Sequence, residues 1–268
     1  MYRIIDSHCH VYPEKIAAKA VAAIGRFYDI PMVFDGRIDT MQKICREAGV
    51  THNVIFSVAT TAQQVSSINS FIAATAQASG GTMTGLGTLF PGSEHMEQDV
   101  EQIISLGLKG VKLHPDFQKF PIDGEICTEM YELCRGRLPI LFHCGDYRYD
   151  FSNPNRLKVV LEKYPDLQVV GAHFGGWSLC QAAADQLHGY DNLVVDCSSS
   201  FYDLSLDTAK KLVLAYGTDR VLFASDFPMW NPRENIQVLL KMELQPEDYE
   251  KIFHANAERI FGIPPVSP

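Results

Sequence analysis

Short apolar, β-branched runs recur along the chain at positions 3–6, 53–58, 82–88, 110–113, 139–142, 168–172, 193–196 and 220–224. Each is too short for a helix and long enough for a buried strand. Longer stretches between them carry helical spacing. Over 39–48, Met41, Ile44 and Cys45 share one face, and Gly49 supplies the stop. The stretch 204–216 is closed by Gly217, and another opens with Asn153-Pro154, a capping residue followed by proline, and ends before Pro165. Eight strands alternating with helices predict right-handed βαβ units and a parallel sheet. The α/β class follows, and within it a (β/α)8 TIM barrel occupying 1–268 as a single domain. An open doubly wound sheet is the rival, but no GxGxxG or GxxxxGK[ST] follows any of these strands. From Pro232 onward, two or three extra C-terminal helices are expected to pack outside the barrel.

Composition narrows the partners more than the fold. A chain of 268 residues with 46% hydrophobic and 21% charged residues suits one barrel with a large core. A net charge of −9 disfavours nucleic acid and anionic membranes, leaving a small-molecule substrate as the expected partner. No apolar run approaches the ~18 residues of a membrane span, and the first residues lack the pattern of a secretion signal. The seven cysteines (Cys9, Cys45, Cys127, Cys134, Cys144, Cys180 and Cys197) form no CxxC pair. An odd, scattered set predicts free thiols and a reducing cytoplasm. Nothing in the pattern sets the oligomeric state, and a homo-oligomer is compatible with it.

Chemistry-bearing residues collect at the ends of the strands. His8 and His10 follow the first, Lys112 and His114 the fourth, His143 the fifth, His173 the sixth and Asp226 the eighth. In a (β/α)8 barrel these ends share one rim, where active sites are built. Residues two apart in extended backbone point the same way, so His8 and His10 reach one point. A lone strand-end histidine is usually a satisfied structural group, and Asp226 alone could be a loop cap. Several such groups on one rim would be costly without a common partner, which a divalent ion supplies. Imidazoles with one carboxylate suit zinc best, with manganese, iron or cobalt as alternatives. His52, His95, His188 and His254 are expected away from the site. Cys9 and Cys144 alternate to the opposite face and are read as packing residues.

The segments IDSHCH, GVKLHP, LFHCG, GAHFGG, ASDFP and FHANAERIFG span nearly the whole chain. In that order they resemble the amidohydrolase superfamily, specifically the amidohydrolase-related branch that includes aminocarboxymuconate-semialdehyde decarboxylase. The resemblance implies a (β/α)8 barrel with one metal held by His8, His10, His143 and Asp226, and His173 as the catalytic histidine. Lys112 is open to two roles. GVKLHP is similar to the stretch in which dihydroorotases carry a carboxylated lysine bridging two metals; a second ion is expected only if Lys112 is carboxylated. Unmodified, Lys112 would hold a substrate carboxylate. His114 either lines the same pocket or packs beneath it.

The expected activity is metal-dependent hydrolysis of a C–O or C–N bond in a small ester, lactone or amide. A divalent ion at such a site lowers the pKa of a bound water to about 7. Asp226 would take a proton from the water, and His173 would polarise the substrate and protonate the leaving group. The alternative is non-oxidative decarboxylation of a small unsaturated or aromatic acid, a carboxy-lyase reaction. That reaction needs a cation for the carboxylate, from Lys112 or from Arg148 in GDYRYD, although Arg148 reads more readily as a solvated loop charge. Rim aromatics Phe117, Phe201, Tyr202 and Trp230 would form walls or simply pack. A barrel binding metal or ligand without catalysis is the lesser alternative, because inactive relatives usually lose ligands and this chain keeps the whole set.

Overall fold

Eight parallel strands form where the hydrophobic runs predict them, in a computed structural model that describes residues 2–265. They are β1 (Ile5–His10), β2 (His52–Phe56), β3 (Met83–Gly85), β4 (Val111–Leu113), β5 (Ile140–Phe142), β6 (Val169–Gly171), β7 (Leu193–Asp196) and β8 (Val221–Leu222). Of the expected domain 1–268, Met1 and the last three positions lie outside the described residues. Pairing runs β1-β2-β3 and β4-β5-β6-β7-β8. Isolated parallel bridges Gly87–Val111 and Cys9–Phe227 join the two sets at both seams, so the ring closes into a barrel. His10 N donates to Phe227 O at 2.7 Å and Lys112 N to Gly87 O at 2.8 Å across those seams.

Alternation along the strands separates two apolar layers. Lys112, Leu141, Val170 and Val194 are register partners across β4–β7. The last three belong to the interior cluster with Ile5, Val54, Phe56 and Leu222, which places the Lys112 side chain inside the barrel. Their neighbours Val111, Ile140, Val169 and Val195 face the surrounding helices, as do Cys9 and Cys144. The cysteines all carry free thiols.

The helices keep the predicted boundaries closely. Ile38–Ala48 buries Met41 and Cys45 and ends on Gly49 in the left-handed region at φ 88°. Pro154–Lys163 is capped by the Asn153 side chain, which accepts from Asn155 N. Leu206–Tyr216 starts two residues later than expected because Ser205 caps it through Thr208 N. Among the described residues no helix is long and apolar enough to cross a membrane.

Two elements depart from expectation. The crossover after β1 holds an additional helix, Glu14–Tyr28, ahead of Ile38–Ala48. The C-terminal helices do not all lie outside the barrel. Pro232–Leu240 packs against Ile38–Ala48, but Asn256–Phe261 turns under the barrel floor, where Ala257, Phe261 and Ile263 join the interior cluster. Asn256 Nδ2 donates to Thr218 O and Val221 O at the start of β8, each at 2.8 Å, satisfying carbonyls there.

Candidate metal centre and active site

The first ligand pair depends on an irregularity. Ile5 faces the interior, so plain alternation would put Ser7 and Cys9 inside and both histidines outside. The β1–β2 register shifts between Asp6 and Cys9, which reverses the parity. Cys9 then packs outward, and His8 and His10 turn to the rim.

There, His8 Nε2 lies 3.3 Å from His10 Nε2 and 3.3 Å from Asp226 Oδ1, and His10 Nε2 lies 3.5 Å from the same oxygen. A tetrahedral zinc site with bonds of about 2.0–2.1 Å has ligand–ligand edges of about 3.3–3.4 Å, so this triangle has the dimensions of one face. His8 Nδ1 contacts Asp196 Oδ2 at 2.9 Å, which fixes its proton there and leaves Nε2 a lone pair. That lone pair faces a carboxylate oxygen, an arrangement a cation relieves. Burial holds His8, His10, His114 and His143 well below the ordinary imidazole range, and His173 at about 4. Their neutral nitrogens fit a divalent ion.

His143 is not part of this triangle. Its Nδ1 lies 3.0 Å from His173 Nε2, its ring stacks on His114 at 4.0 Å, and its Nε2 lies 3.7 Å from Asp116 Oδ2. His114, Asp116 and His143 form a second group of close potential ligands. Within it, His114 Nδ1 accepts from Phe117 N, so the His114 proton sits on Nε2 and is donated to Tyr28 Oη at 2.7 Å. His114 is thereby unsuited to metal binding through Nε2. His173 Nδ1 donates to Ser198 O at 2.9 Å, so its Nε2 carries the lone pair and faces His143 Nδ1 at 3.0 Å.

Lys112 is fully buried with Nζ 3.4 Å from His8 Nε2. Among the described residues no carboxylate is within ion-pair reach of it. Burial pulls its pKa down to about 8, against the opposing pull of Asp196 and Asp226. Arg148, the other candidate carboxylate partner, is engaged elsewhere. Nε and Nη2 clasp Asp146 at 2.9 and 2.6 Å, Nη1 donates to Phe27 O at 2.5 Å, and the guanidinium lies over the rings of Phe27 and Tyr28. It ties the β5 loop to the end of helix Glu14–Tyr28.

Backbone strain gathers at the same rim. His173, Phe174, Ser199 and Asp226 all have positive φ, which costs a non-glycine residue about 1 kcal/mol or more. Hydrogen bonds hold them: His173 N donates to Asp196 Oδ1 at 3.1 Å and Phe174 N to Asp196 O at 2.7 Å. Glycine permits the β5 and β6 loops to touch. Gly145 has φ 77°, and a Cβ there would stand 2.3 Å from Gly176 Cα.

The chain matches the Amidohydrolase family over residues 5–263. It belongs to that family. No curated protein sequence matches it significantly. Its barrel is similar to that of an uncharacterised TIM-barrel protein from Bordetella bronchiseptica, with TM-score 0.80 and 21% identity, covering 97% of this chain and 98% of that one. It is also similar to 5-carboxyvanillate decarboxylase from Sphingomonas paucimobilis, with TM-score 0.72 and 16% identity, covering 98% and 100%. A third similar structure is a dihydroxybenzoic acid decarboxylase from Polaromonas sp. JS666 with bound manganese and the inhibitor 2-nitroresorcinol. There the TM-score is 0.74 and the identity 15%, covering 98% and 97%. These likenesses establish the barrel fold.

Several site residues carry no strong sequence signal. Asp196 ends a predicted strand just as Asp226 does, and that shared position is the one mark it bears. Ser198 and Ser199 follow it; the Ser199 hydroxyl donates to Asp226 Oδ2 and accepts from Trp230 Nε1 at 2.7 Å. Trp230 stacks on Tyr202 at 4.5 Å, making one rim wall. Phe117 packs on Phe27 and His114 instead of standing free. Tyr28 comes from the added helix.

Proposed function

We propose that this amidohydrolase is a metal-dependent carboxy-lyase that removes carbon dioxide from a small unsaturated or aromatic acid. The observation that carries the reading is Lys112, a buried amine beside the His8–His10–Asp226 triangle with no carboxylate partner of its own. A buried cation without an anion is costly, and the carboxylate of a bound acid removes that cost. Hydrolysis of a neutral ester or amide makes no use of it. The decarboxylases among the similar barrels support the same direction.

His8, His10 and Asp226 would hold a divalent ion, and His143, at the end of β5, is the fourth candidate ligand. Zinc or manganese suits these donors. When bound, the ion supplies positive charge that orients the acid and stabilises negative charge developing on it. Lys112 binds the carboxylate as a point charge. His173, its Nδ1–H anchored on Ser198 O, presents Nε2 for proton transfer, and Asp226 is the second proton-carrying group. A proton is delivered to the carbon bearing the carboxyl group. The carbon–carbon bond then breaks, its electron pair stays on that carbon, and carbon dioxide departs.

The test is a side-by-side assay of zinc- and manganese-loaded protein on hydroxybenzoates, muconate-type acids, lactones and amides. Carbon dioxide release without hydrolysis of any bond is the expected result. Ring opening of lactones or cleavage of amides with no carbon dioxide would return the enzyme to the hydrolase reading.

A further inference from the structure

The helix Glu14–Tyr28, inserted between β1 and its barrel helix, delivers one side chain into the site. Tyr28 Oη lies 2.7 Å from His114 Nε2 and 3.4 Å from both nitrogens of His143. The direction of each hydrogen bond can be assigned. Phe117 N can only donate, so His114 Nδ1 is the acceptor and His114 carries its proton on Nε2. Tyr28 Oη therefore accepts from His114, and its own proton has to go elsewhere. His143 does not take it: a hydroxyl 3.4 Å from both ring nitrogens lies on neither of their in-plane lone-pair axes. Among the described residues no other acceptor is within hydrogen-bond distance of the hydroxyl.

The Tyr28 ring is held on several sides. Trp177 packs edge-on at 4.9 Å and Phe27 at 4.9 Å, and the Arg148 guanidinium lies 5.4 Å from the ring centre. Arg148 also grips Phe27 O and Asp146, so the end of the helix is fastened to the β5 loop. A donor so fixed, with its proton unspent, is set to meet an acceptor that arrives with a ligand.

We infer that Tyr28 is a substrate-binding residue that donates its phenolic hydrogen to a carboxylate oxygen of the bound acid, with Arg148 as the positioning residue that holds it there. The inference rests on the acid-binding reading of the site, to which it adds a second contact supplied from outside the barrel. Lys112 contacts the acid from within the barrel and Tyr28 from the rim, so the two together select carboxylates of limited size. Neutral esters gain nothing from the pair.

The experiment is a calorimetric titration of the zinc-loaded protein with acetate, which reports carboxylate binding whatever the natural reaction is. Tyr28→Phe keeps the ring and its packing, and is expected to bind acetate about tenfold more weakly, the scale of one hydrogen bond to a charged group. Zinc content and melting temperature should match the wild type. Tyr28→Gln, which restores a donor, should recover part of the affinity. Arg148→Met should weaken acetate binding in the same direction without changing zinc content. Equal acetate affinity in wild type and Tyr28→Phe, or no acetate uptake by the wild type, overturns the inference. Discrimination of acetate by Tyr28 without carbon dioxide release from any acid leaves the inference standing and sinks the carboxy-lyase reading.

Discussion

Asp196 Oδ2 lies 2.9 Å from His8 Nδ1, so a carboxylate at the end of β7 sets which nitrogen of His8 faces the metal triangle. The other oxygen of Asp196 accepts from the backbone amides of His173 and Ser198. Ser198 O in turn takes the Nδ1 proton of His173. One acid thus orients both a candidate ligand and the candidate proton-transfer group.

Asp196→Asn should weaken zinc or manganese binding about 10- to 100-fold, because loss of a carboxylate behind a ligand histidine lowers its basicity and frees its ring. Competition with a chelator measures this directly. Unchanged affinity would show that His8 needs no such support.

His173→Ala should leave metal content intact and remove most activity, since His173 Nε2 contacts His143 Nδ1 and His173 is not among the close ligand group of His8, His10 and Asp226. Metal analysis beside a carbon dioxide assay separates the outcomes. Loss of the ion together with activity would make His173 a ligand.

Lys112→Met, nearly equal in length and at home in the barrel interior, should lower carbon dioxide release about 100-fold while one ion per chain remains. Elemental analysis of the wild type, prepared with and without bicarbonate, gives the count. Two ions per chain falling to one in Lys112→Met would instead assign a carboxylated lysine.

His52 stands at the opposite end of β2 from the site, buried, with Nε2 on Thr84 Oγ1 at 2.9 Å. Burial, helped by Arg3, lowers its pKa from 6.5 to about 4. The folded state therefore stays neutral while the unfolded state takes up a proton. The contribution is fully present above pH 6.5, is lost as pH falls from 6.5 to about 4, and amounts to at most ~3 kcal/mol. Urea unfolding across that window should show a shallower decline for His52→Gln.

Gly145→Ala should destabilise by more than about 2 kcal/mol, because it combines a positive φ with a backbone clash. Denaturation midpoints check this. Weakened metal binding should accompany it, since the β5 and β6 loops carry His143 and His173.

The strand rhythm was legible because buried parallel strands read as apolar runs, and the rim residues were legible because strand ends are where chemistry is placed. The parity change at Asp6–Cys9 was not, since an irregularity in one strand leaves no mark in the apolar pattern. The split of His143 from the triangle was equally hidden: it depends on ring orientation set by His114 and His173. Arg148 looked like a carboxylate partner or a solvated charge, and its true engagement with Asp146 and Phe27 joins loops distant in sequence. Tyr28 had no signal at all, coming from a helix the periodicity did not single out. Phe261 and Ala257 looked like outer-layer residues because helical spacing does not say against what a helix packs.

That last helix has a consequence for molecular traffic. With Ala257, Phe261 and Ile263 packed under the floor of the barrel, the described residues fill that end, and the opposite rim, where Tyr28 and Arg148 lie, is the side from which a ligand would approach. Substrate and products would then share that side, and the product held more loosely would depart first.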